Sequence, residues 1–302
     1  MKVYENEKLN FPTVAVMGFF DGVHRGHRAL IEKAKQTAAE TGLRPLVFTF
    51  DVHPAEILGK NIKYITTNVE KTYIFEKTGV DGVYFQTADR DFLSMSAEDF
   101  FKTVIVDKLG ASHVIIGENY TFGKNKSATA ADMAAFCNAC KIGCDIIPSV
   151  YNEKGSVISS SGIRESIFCG NIEAANEMLG HRFFIKNTIE HGRGDGRKMG
   201  VPTINTKVEP GKILPPLGVY ATTTIIGDEK FKSITNIGYA PTFGENPITV
   251  ETNILGFDEI IYGENPAIEF LTKIRGEKKF PSPDELAGQI KLDIKRREKL
   301  EF

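Results

Sequence analysis

Five apolar runs, each separated from the next by a helix-patterned segment, constrain the fold of this chain more than any other feature. Residues 14–19 (VAVMGF), 43–50 (LRPLVFTF), 80–85 (VDGVYF), 112–117 (SHVIIG) and 144–150 (CDIIPSV) read as strands. Apolar runs of this kind, without strict alternation, suit strands covered on both faces. The segments between them carry helix boundaries. Gly42 closes a helix over 27–41, and a capping box at Thr67 and Glu70 opens one over 69–78 that stops at Gly79. Ser96 caps a helix over 97–109 ended by Gly110, and an Ala-rich helix precedes the fifth strand. Repeated strand–helix alternation predicts an α/β fold built on a doubly wound parallel sheet.

Near residue 182 the pattern changes. Residues 186–192, 218–238 and 248–257 read as strands, and Gly227-Asp228 marks a hairpin turn. Prolines 202, 210, 215, 216, 241 and 247 punctuate this part, as expected where short strands meet loops. Ser282 and Glu285 form a capping box with Pro283 at the first helical position, and Leu286, Ile290 and Ile294 keep helical spacing. A small β-barrel or sandwich with a C-terminal helix is therefore expected, the barrel being preferred. At 302 residues the chain exceeds the size at which one core usually keeps growing, so two domains are expected, 1–182 and 183–302.

The composition, 41% hydrophobic and 25% charged, is that of a soluble globular protein. A formal net charge of −2 shows no electrostatic footprint for nucleic acid or an anionic membrane. The opening MKVYENEKLN has no apolar core that could serve as a signal peptide, and no apolar run reaches the ~20 residues of a membrane span. A cytoplasmic protein is expected; oligomeric state is not legible. Cys137, Cys140 and Cys144 form a C-x2-C-x3-C pattern that raises a zinc or iron–sulfur site. Met133, Phe136, Cys137 and Cys140 also share one helical stripe, and buried free cysteine packs as a small hydrophobe, so packing is the preferred reading.

The turn after the first strand carries the chemistry. Gly18, Asp21, Gly22, His24, Gly26 and His27 crowd into ten residues at the carboxyl end of that strand, where open α/β sheets bind ligands. The spacing is neither that of a P-loop nor that of a dinucleotide fingerprint. His24 and His27 stand three apart on the first helical turn, so their rings join the helix amides in facing one anion. Small glycines let a polyphosphate approach the backbone. The bland alternative is a histidine that caps the helix or fills a core gap.

Residues 18–27 resemble the G-x-F-D-G-x-H-x-G-H signature of the HxGH nucleotidylyltransferases. FTFDVHP (48–54), GENYTFG (117–123) and ISSSGIR (158–164) narrow the resemblance to the bacterial bifunctional riboflavin kinase/FMN adenylyltransferases, or FAD synthetases. The resemblance implies that His24 and His27 hold ATP phosphates and that Arg164 holds the leaving pyrophosphate. Ser160 and Ser161 would donate hydroxyls as well as cap a helix over 162–168. Asn119 would contact the nucleotide or its magnesium shell, or else stabilise a turn; Asp51 is a turn former or a polar wall of the site. Ser161 in place of Thr keeps the hydroxyl.

HGRGDGRKMGVPTINT (191–206) resembles the riboflavin kinase motif ending G-x-P-T-A-N, with Ile204 in place of Ala. Gly194, Gly196 and Gly200 would let a loop close over nucleotide phosphates, and Thr203 and Asn205 offer hard oxygen ligands for magnesium on ATP. Unaided, P-T-x-N reads as a turn. NIGYAPTFG (236–244) and VETNIL (250–255) also match, and the resemblance makes Glu251 the base for the riboflavin 5′-hydroxyl and Arg275 a contact to the flavin phosphate. Strand phase puts Ile248, Val250 and Ile254 on one face and Glu251 on the other. Asn253 and Gly256 replace the usual His and Asp. The expectation is an enzyme that converts riboflavin to FMN and FMN to FAD with ATP and Mg2+, its partners being these small molecules. The rivals are a monofunctional member with one decayed site, another HxGH transferase such as a cytidylyltransferase, and a flavin-binding regulator or carrier.

Overall fold

Parallel strands in the first half and antiparallel strands in the second divide a computed structural model that describes residues 1–190, 201–239, 248–257, 259 and 261–301. Two compact units result, Met1–Ser159 and Ser160–Phe302. The first contains β1 (Lys2–Glu5), β2 (Thr13–Met17), α1 (Arg25–Thr41), β3 (Arg44–Phe50), α2 (Pro54–Ile57), α3 (Asn68–Glu76) and β4 (Gly82–Gln86). After these come α4 (Arg90–Leu93), α5 (Ala97–Phe100, running on as a π-helical segment Phe101–Lys108), β5 (Ala111–Gly117), β6 (Thr121–Phe122), β7 (Ala128–Thr129), α6 (Ala130–Ala139) and β8 (Gly143–Ile147).

Six strands line up in the order β1-β4-β3-β2-β5-β8, every pair parallel. The five expected strands are all there. β1 is additional: only Tyr4 of KVYE is buried, so this edge strand has no apolar run to announce it. From β2 the chain proceeds outward through β3 and β4, then returns to place β5 on the other side of β2. The order reverses between β2 and β5, and the loops at their carboxyl ends flank the crevice that such a reversal opens.

The helix signals act locally as expected. Thr67 and Glu70 make both halves of the capping box, Ser96 accepts from the Asp99 amide at 3.0 Å, and Gly42 ends α1 in the left-handed conformation at φ 71°. The core beneath is strongly aromatic, with Phe48, Tyr84, Phe100 and Phe122 packed in one cluster. Cys137 is buried in this cluster and Cys144 lies beside it on β8. Cys140 departs from the expected stripe: α6 ends at Ala139, so Cys140 falls at the cap and is exposed.

The second unit contains α7 (Ser160–Phe168), α8 (Ile172–Leu179), β9 (Phe184–Lys186), β10 (Ile189–Glu190), β11 (Ile204–Thr206), β12 (Gly218–Ile226), β13 (Glu229–Tyr239), β14 (Ile248–Ile254), β15 (Ala267–Gly276) and α9 (Pro283–Glu298). Its strands are ordered β10-β11-β14-β13-β12-β15-β9, all antiparallel. The two edge strands, β9 and β10, are separated only by Asn187 and Thr188. Laid flat, seven strands would hold their edges about 29 Å apart. Three peptide steps reach only ~11 Å, so the sheet must curl. The outcome is a half-barrel, the expected small barrel in this form.

Gly227 and Asp228 form the expected two-residue hairpin loop, Gly227 at φ 59° and Ile226 paired with Glu229 across it. A ladder of hydroxyls fixes the register of the three central strands. Thr222 Oγ1 lies 2.8 Å from both Ser233 Oγ and Thr235 Oγ1, and Thr235 reaches Thr252 at 2.9 Å, all four fully buried. Threonine suits a strand sterically and these hydroxyls satisfy one another, which removes the cost of burying them.

α8 was not expected, although Asn171 caps its start and Gly180 ends it in the left-handed conformation. Ile172, Ala175, Met178 and Leu179 are buried, and Asn176 bridges the helix to the sheet. Its carbonyl accepts from the Phe183 amide and its amide donates to the Phe270 carbonyl at 2.9 Å. A fragment starting at residue 183 should therefore be less stable than one starting at 160 by several kcal/mol, given about 1.5–3 kcal/mol per large buried aliphatic side chain. Urea denaturation followed by circular dichroism measures the difference, and equal midpoints would show α8 to be dispensable.

Candidate active sites

The glycine-rich turn after β2 is held in an uncommon shape. Phe20 and Val23 adopt positive φ (56° and 41°), as does Gly22 (81°). Such conformations are strained for Phe and Val and persist only when neighbours over-determine them. Here Phe20 is fully buried, with its ring 4.9 Å from that of His27 and 5.8 Å from that of Phe75. A Cβ on Gly18 would come within 3.0 Å of the Phe20 ring, so the expected spare room at Gly18 is filled by a side chain of the turn itself.

Asp21, expected to face the ligand, is 2% exposed and organises the backbone. Its Oδ1 accepts from the amides of Ile65 and Thr66 at 2.8 and 3.0 Å, and Thr66 Oγ1 accepts from the Gly22 amide at 2.8 Å. This reciprocal clasp ties the turn to the residues just before the cap of α3.

His24 is both cap and candidate donor. It is the N-cap residue of α1, with Nδ1 accepting from the His27 amide at 3.4 Å. Accepting at Nδ1 leaves the proton of a neutral ring on Nε2, so the cap fixes the tautomer. A Cβ on Gly26 would stand 3.1 Å from the His24 ring, a tight approach that favours glycine there. The His27 ring stacks on that of His24 at 3.6 Å. Burial, then His24, then Lys71 hold His27 well below its usual pKa, so it is neutral at pH 7. Its enclosed Nδ1 has no hydrogen-bond partner among the described residues. His27 therefore presents a neutral imidazole, stacked on the capping ring of His24, at a helix N-terminus.

The loops after β3 and β5 stand at the same edge of the sheet. Asp51 closes the first: its Oδ1 accepts from the Val52 and Ala88 amides, and its carbonyl accepts from Asn68 Nδ2 at 2.7 Å. Exposed Asn119 lies just beyond β5, where its amide donates to Ser149 Oγ at 3.3 Å and Glu118 Oε1 accepts from the Ser149 amide. Lys71 on α3 was not singled out from the sequence. It is 1% exposed, and its Nζ lies 3.7 Å from the centre of the Phe19 ring. The signal was present: Lys71, Ile74 and Phe75 occupy one buried helical stripe, where lysine is out of place.

Ser160, Ser161 and Arg164 lie in the second unit, on α7. The helix starts at Ser160, two residues earlier than expected, so both serines sit in its first turn. Arg164 Nη2 donates to Ser161 Oγ at 3.3 Å.

Strand register assembles the other candidate site. Asn205 on β11 pairs with Glu251 on β14, which pairs with Asn236 on β13. Directly paired residues share a face of the sheet, so these three polar side chains form one row. Val219 continues it on β12 and Arg275 on β15. From Val250 onward the expected phase of β14 holds, with Val250, Thr252 and Ile254 buried and Glu251 on the opposite face, but Ile248, expected on the buried face, is exposed. Asn236 is the member that sequence reasoning missed, although its strand phase relative to Glu251 was readable once the register was known. Half-buried Thr203 lies two residues before Asn205, and the Pro202 carbonyl accepts from Asn253 Nδ2 at 2.7 Å. Arg275 is engaged within the protein: Nε donates to buried Asp293 of α9 at 2.9 Å and Nη1 to the Gly276 carbonyl. Gly194, Gly196 and Gly200 lie outside the described residues.

Known proteins agree with this two-part organisation. The profile of the FAD synthetase family matches residues 6–162, and that of the riboflavin kinase family matches residues 179–300. A bifunctional riboflavin kinase/FMN adenylyltransferase of Bacillus subtilis is 36% identical over 93% of this chain and 90% of its own length. The Escherichia coli protein of the same description is 31% identical over the same shares. A solved structure from Streptococcus pneumoniae, described as a macrolide-efflux protein, superposes with a TM-score of 0.88 at 30% identity and covers 99% of each chain. No helix among the described residues here is long and apolar enough to cross a membrane. With two family profiles side by side and relatives matched along nearly their whole length, this chain belongs to the bifunctional riboflavin kinase/FMN adenylyltransferase family.

Proposed function

We propose that this protein makes FAD in two ATP-dependent steps, with the kinase step in residues 183–302 and the adenylyl transfer in residues 1–182. In the first, the riboflavin 5′-hydroxyl attacks the γ-phosphorus of ATP, giving FMN and ADP. In the second, an FMN phosphate oxygen attacks the α-phosphorus of another ATP and expels pyrophosphate. One observation carries the reading: a single chain holds both a histidine-flanked helix N-terminus beside the switch point of a parallel sheet and a Glu251-centred polar row on a curled antiparallel sheet.

Adenylyl transfer needs no covalent enzyme intermediate, so positioning and charge stabilisation at the α-phosphate are the work of the site. His24, with its proton on Nε2, and neutral His27 suit donation to phosphate oxygens without adding two buried charges. Gly18, Asp21 and Asp51 act by shaping the loops; Asn119, Ser160, Ser161 and Arg164 keep the nucleotide and pyrophosphate roles that the motif resemblance implies. In the kinase site, Glu251 accepts the hydroxyl proton with Asn205 and Asn236 beside it. Mg2+ would be held by Thr203 and Asn205, neutral oxygen donors that suit a hard cation retaining several waters, and would offset phosphate charge. Arg275 reaches a flavin phosphate only by sharing the guanidinium that holds Asp293. A cytoplasmic location fits riboflavin, FMN and ATP as small-molecule substrates.

Two variants test the division of labour. His24→Asn keeps a good helix cap but loses the imidazole. FAD synthesis from FMN should fall by about 10²–10³-fold, the usual loss for one oriented donor, while riboflavin phosphorylation stays near wild type. Loss of both activities in folded protein would refute separate sites.

Glu251→Gln keeps size and one acceptor oxygen but removes the base. Riboflavin kinase turnover should fall about 10²–10⁴-fold, with riboflavin binding and FAD synthesis from supplied FMN retained. A Gln variant with near wild-type kinase turnover would exclude Glu251 as the base.

A further inference from the structure

Among the described residues, Lys71 is a fully buried cation whose ammonium makes no hydrogen bond to the protein. Among the described residues, the lysines and arginines with buried side chains are Lys71, Lys212 and Arg297. Lys212 donates to the Phe184 carbonyl at 2.9 Å. Arg297 donates to the Thr222 and Leu300 carbonyls and to Thr223 Oγ1. Lys71 Nζ is buried with no hydrogen-bond partner among the described residues.

The Phe19 ring beneath it supplies a cation–π contact. That contact can satisfy one side of the ammonium but leaves N–H donors unused. Asp21 and Asp51 act on it electrostatically, yet both spend carboxylate capacity on backbone amides. Burial pushes the ammonium down to about 8, against the upward pull of those two carboxylates, so it remains mostly protonated at pH 7. A methionine would fill a similar volume without the desolvation cost. Packing alone therefore gives no reason for a charge here.

Its surroundings supply one. Phe19 belongs to the turn after β2, and Lys71 is close enough to His27 to lower that ring's proton affinity. The clasp from Asp21 to Ile65 and Thr66 sets the start of α3, and with it the position of Lys71 one turn later. The ammonium thus stands beside the turn after β2 and acts on His27.

We propose that Lys71 is a substrate-contacting residue of the adenylyltransferase site, whose ammonium takes a phosphoryl oxygen of either ATP or FMN. This rests on the adenylyltransferase reading of the first unit. A phosphate oxygen supplies the acceptor that the protein withholds, and the bound anion lies between Lys71 and the neutral His27.

The test compares full-length wild type with Lys71→Met and Lys71→Gln. FAD formation is measured with ATP and FMN varied in turn, pyrophosphorolysis of FAD with pyrophosphate varied, and riboflavin phosphorylation and ligand-free melting as controls. The expected result is a fall in kcat/KM for FAD synthesis on the order of 10²-fold, with unchanged riboflavin phosphorylation. Ligand-free Lys71→Met should melt no lower than wild type, which separates loss of a ligand contact from loss of fold. A raised KM for ATP and pyrophosphate assigns the contact to the triphosphate; a raised KM for FMN alone assigns it to the flavin phosphate. Wild-type protein that makes no FAD overturns the site reading and this proposal together. If wild type makes FAD and both variants match it within about threefold, or lose activity only in proportion to lost folding, the Lys71 proposal alone is overturned.

Discussion

A single buried carboxylate organises the first half of this protein. Asp21 accepts the amides of Ile65 and Thr66, and Thr66 answers by accepting the Gly22 amide. A buried ionised carboxylate without such donors would cost several kcal/mol; with charge-assisted hydrogen bonds it becomes a fixed joint. The joint connects segments 44 residues apart in sequence. Because Thr67 next in line caps α3, the clasp sets where that helix begins and therefore which way its buried stripe faces. The strained backbone at Phe20 and Val23 is tolerable for the same reason: clasp and packing hold it from both ends.

The two candidate sites solve the problem of binding phosphate by different physical means. In the first unit, a helix N-terminus and capped histidines present oriented donors at the reversal of a parallel sheet, where neighbouring strands diverge and leave a crevice. In the second, the described strands pair only antiparallel and form no reversal of that kind. A row of polar side chains crosses one face of the antiparallel sheet, while Thr222, Ser233, Thr235 and Thr252 lock the other. Slipping one strand by a residue would bury Glu251 and expose threonines. The hydroxyl ladder is therefore what keeps the Glu251 row in place. The Arg275–Asp293 pair secures α9 against the end of that row, with Gln289 holding the other carboxylate oxygen at 2.9 Å.

Much of this was legible in the linear sequence because its causes are local. The apolar runs became strands, the capping box at Thr67 formed, Ser282 capped α9 by accepting from the Glu285 amide, and Gly227-Asp228 turned the hairpin. The strand phase that turned Glu251 away from Val250 and Ile254 was equally local. The misses do not share one cause. β1 is short and gains its stability from what it packs against, so it carries a weak signal of its own, whereas α8 was missed although Asn171 caps it and Gly180 ends it.

Roles were harder to read than elements. Sequence alone determined that His24 and His27 would stand on one helical turn at the end of a strand, because helix geometry follows from spacing. Only the tertiary structure decided that His24 would cap, that Asp21 would clasp backbone and that Lys71 would be buried beside Phe19. It likewise decided that Asn205, Asn236 and Glu251 would share a row. Spacing governs orientation within an element, but register and burial are set by segments tens of residues apart competing to leave water, and no short stretch of chain contains that competition.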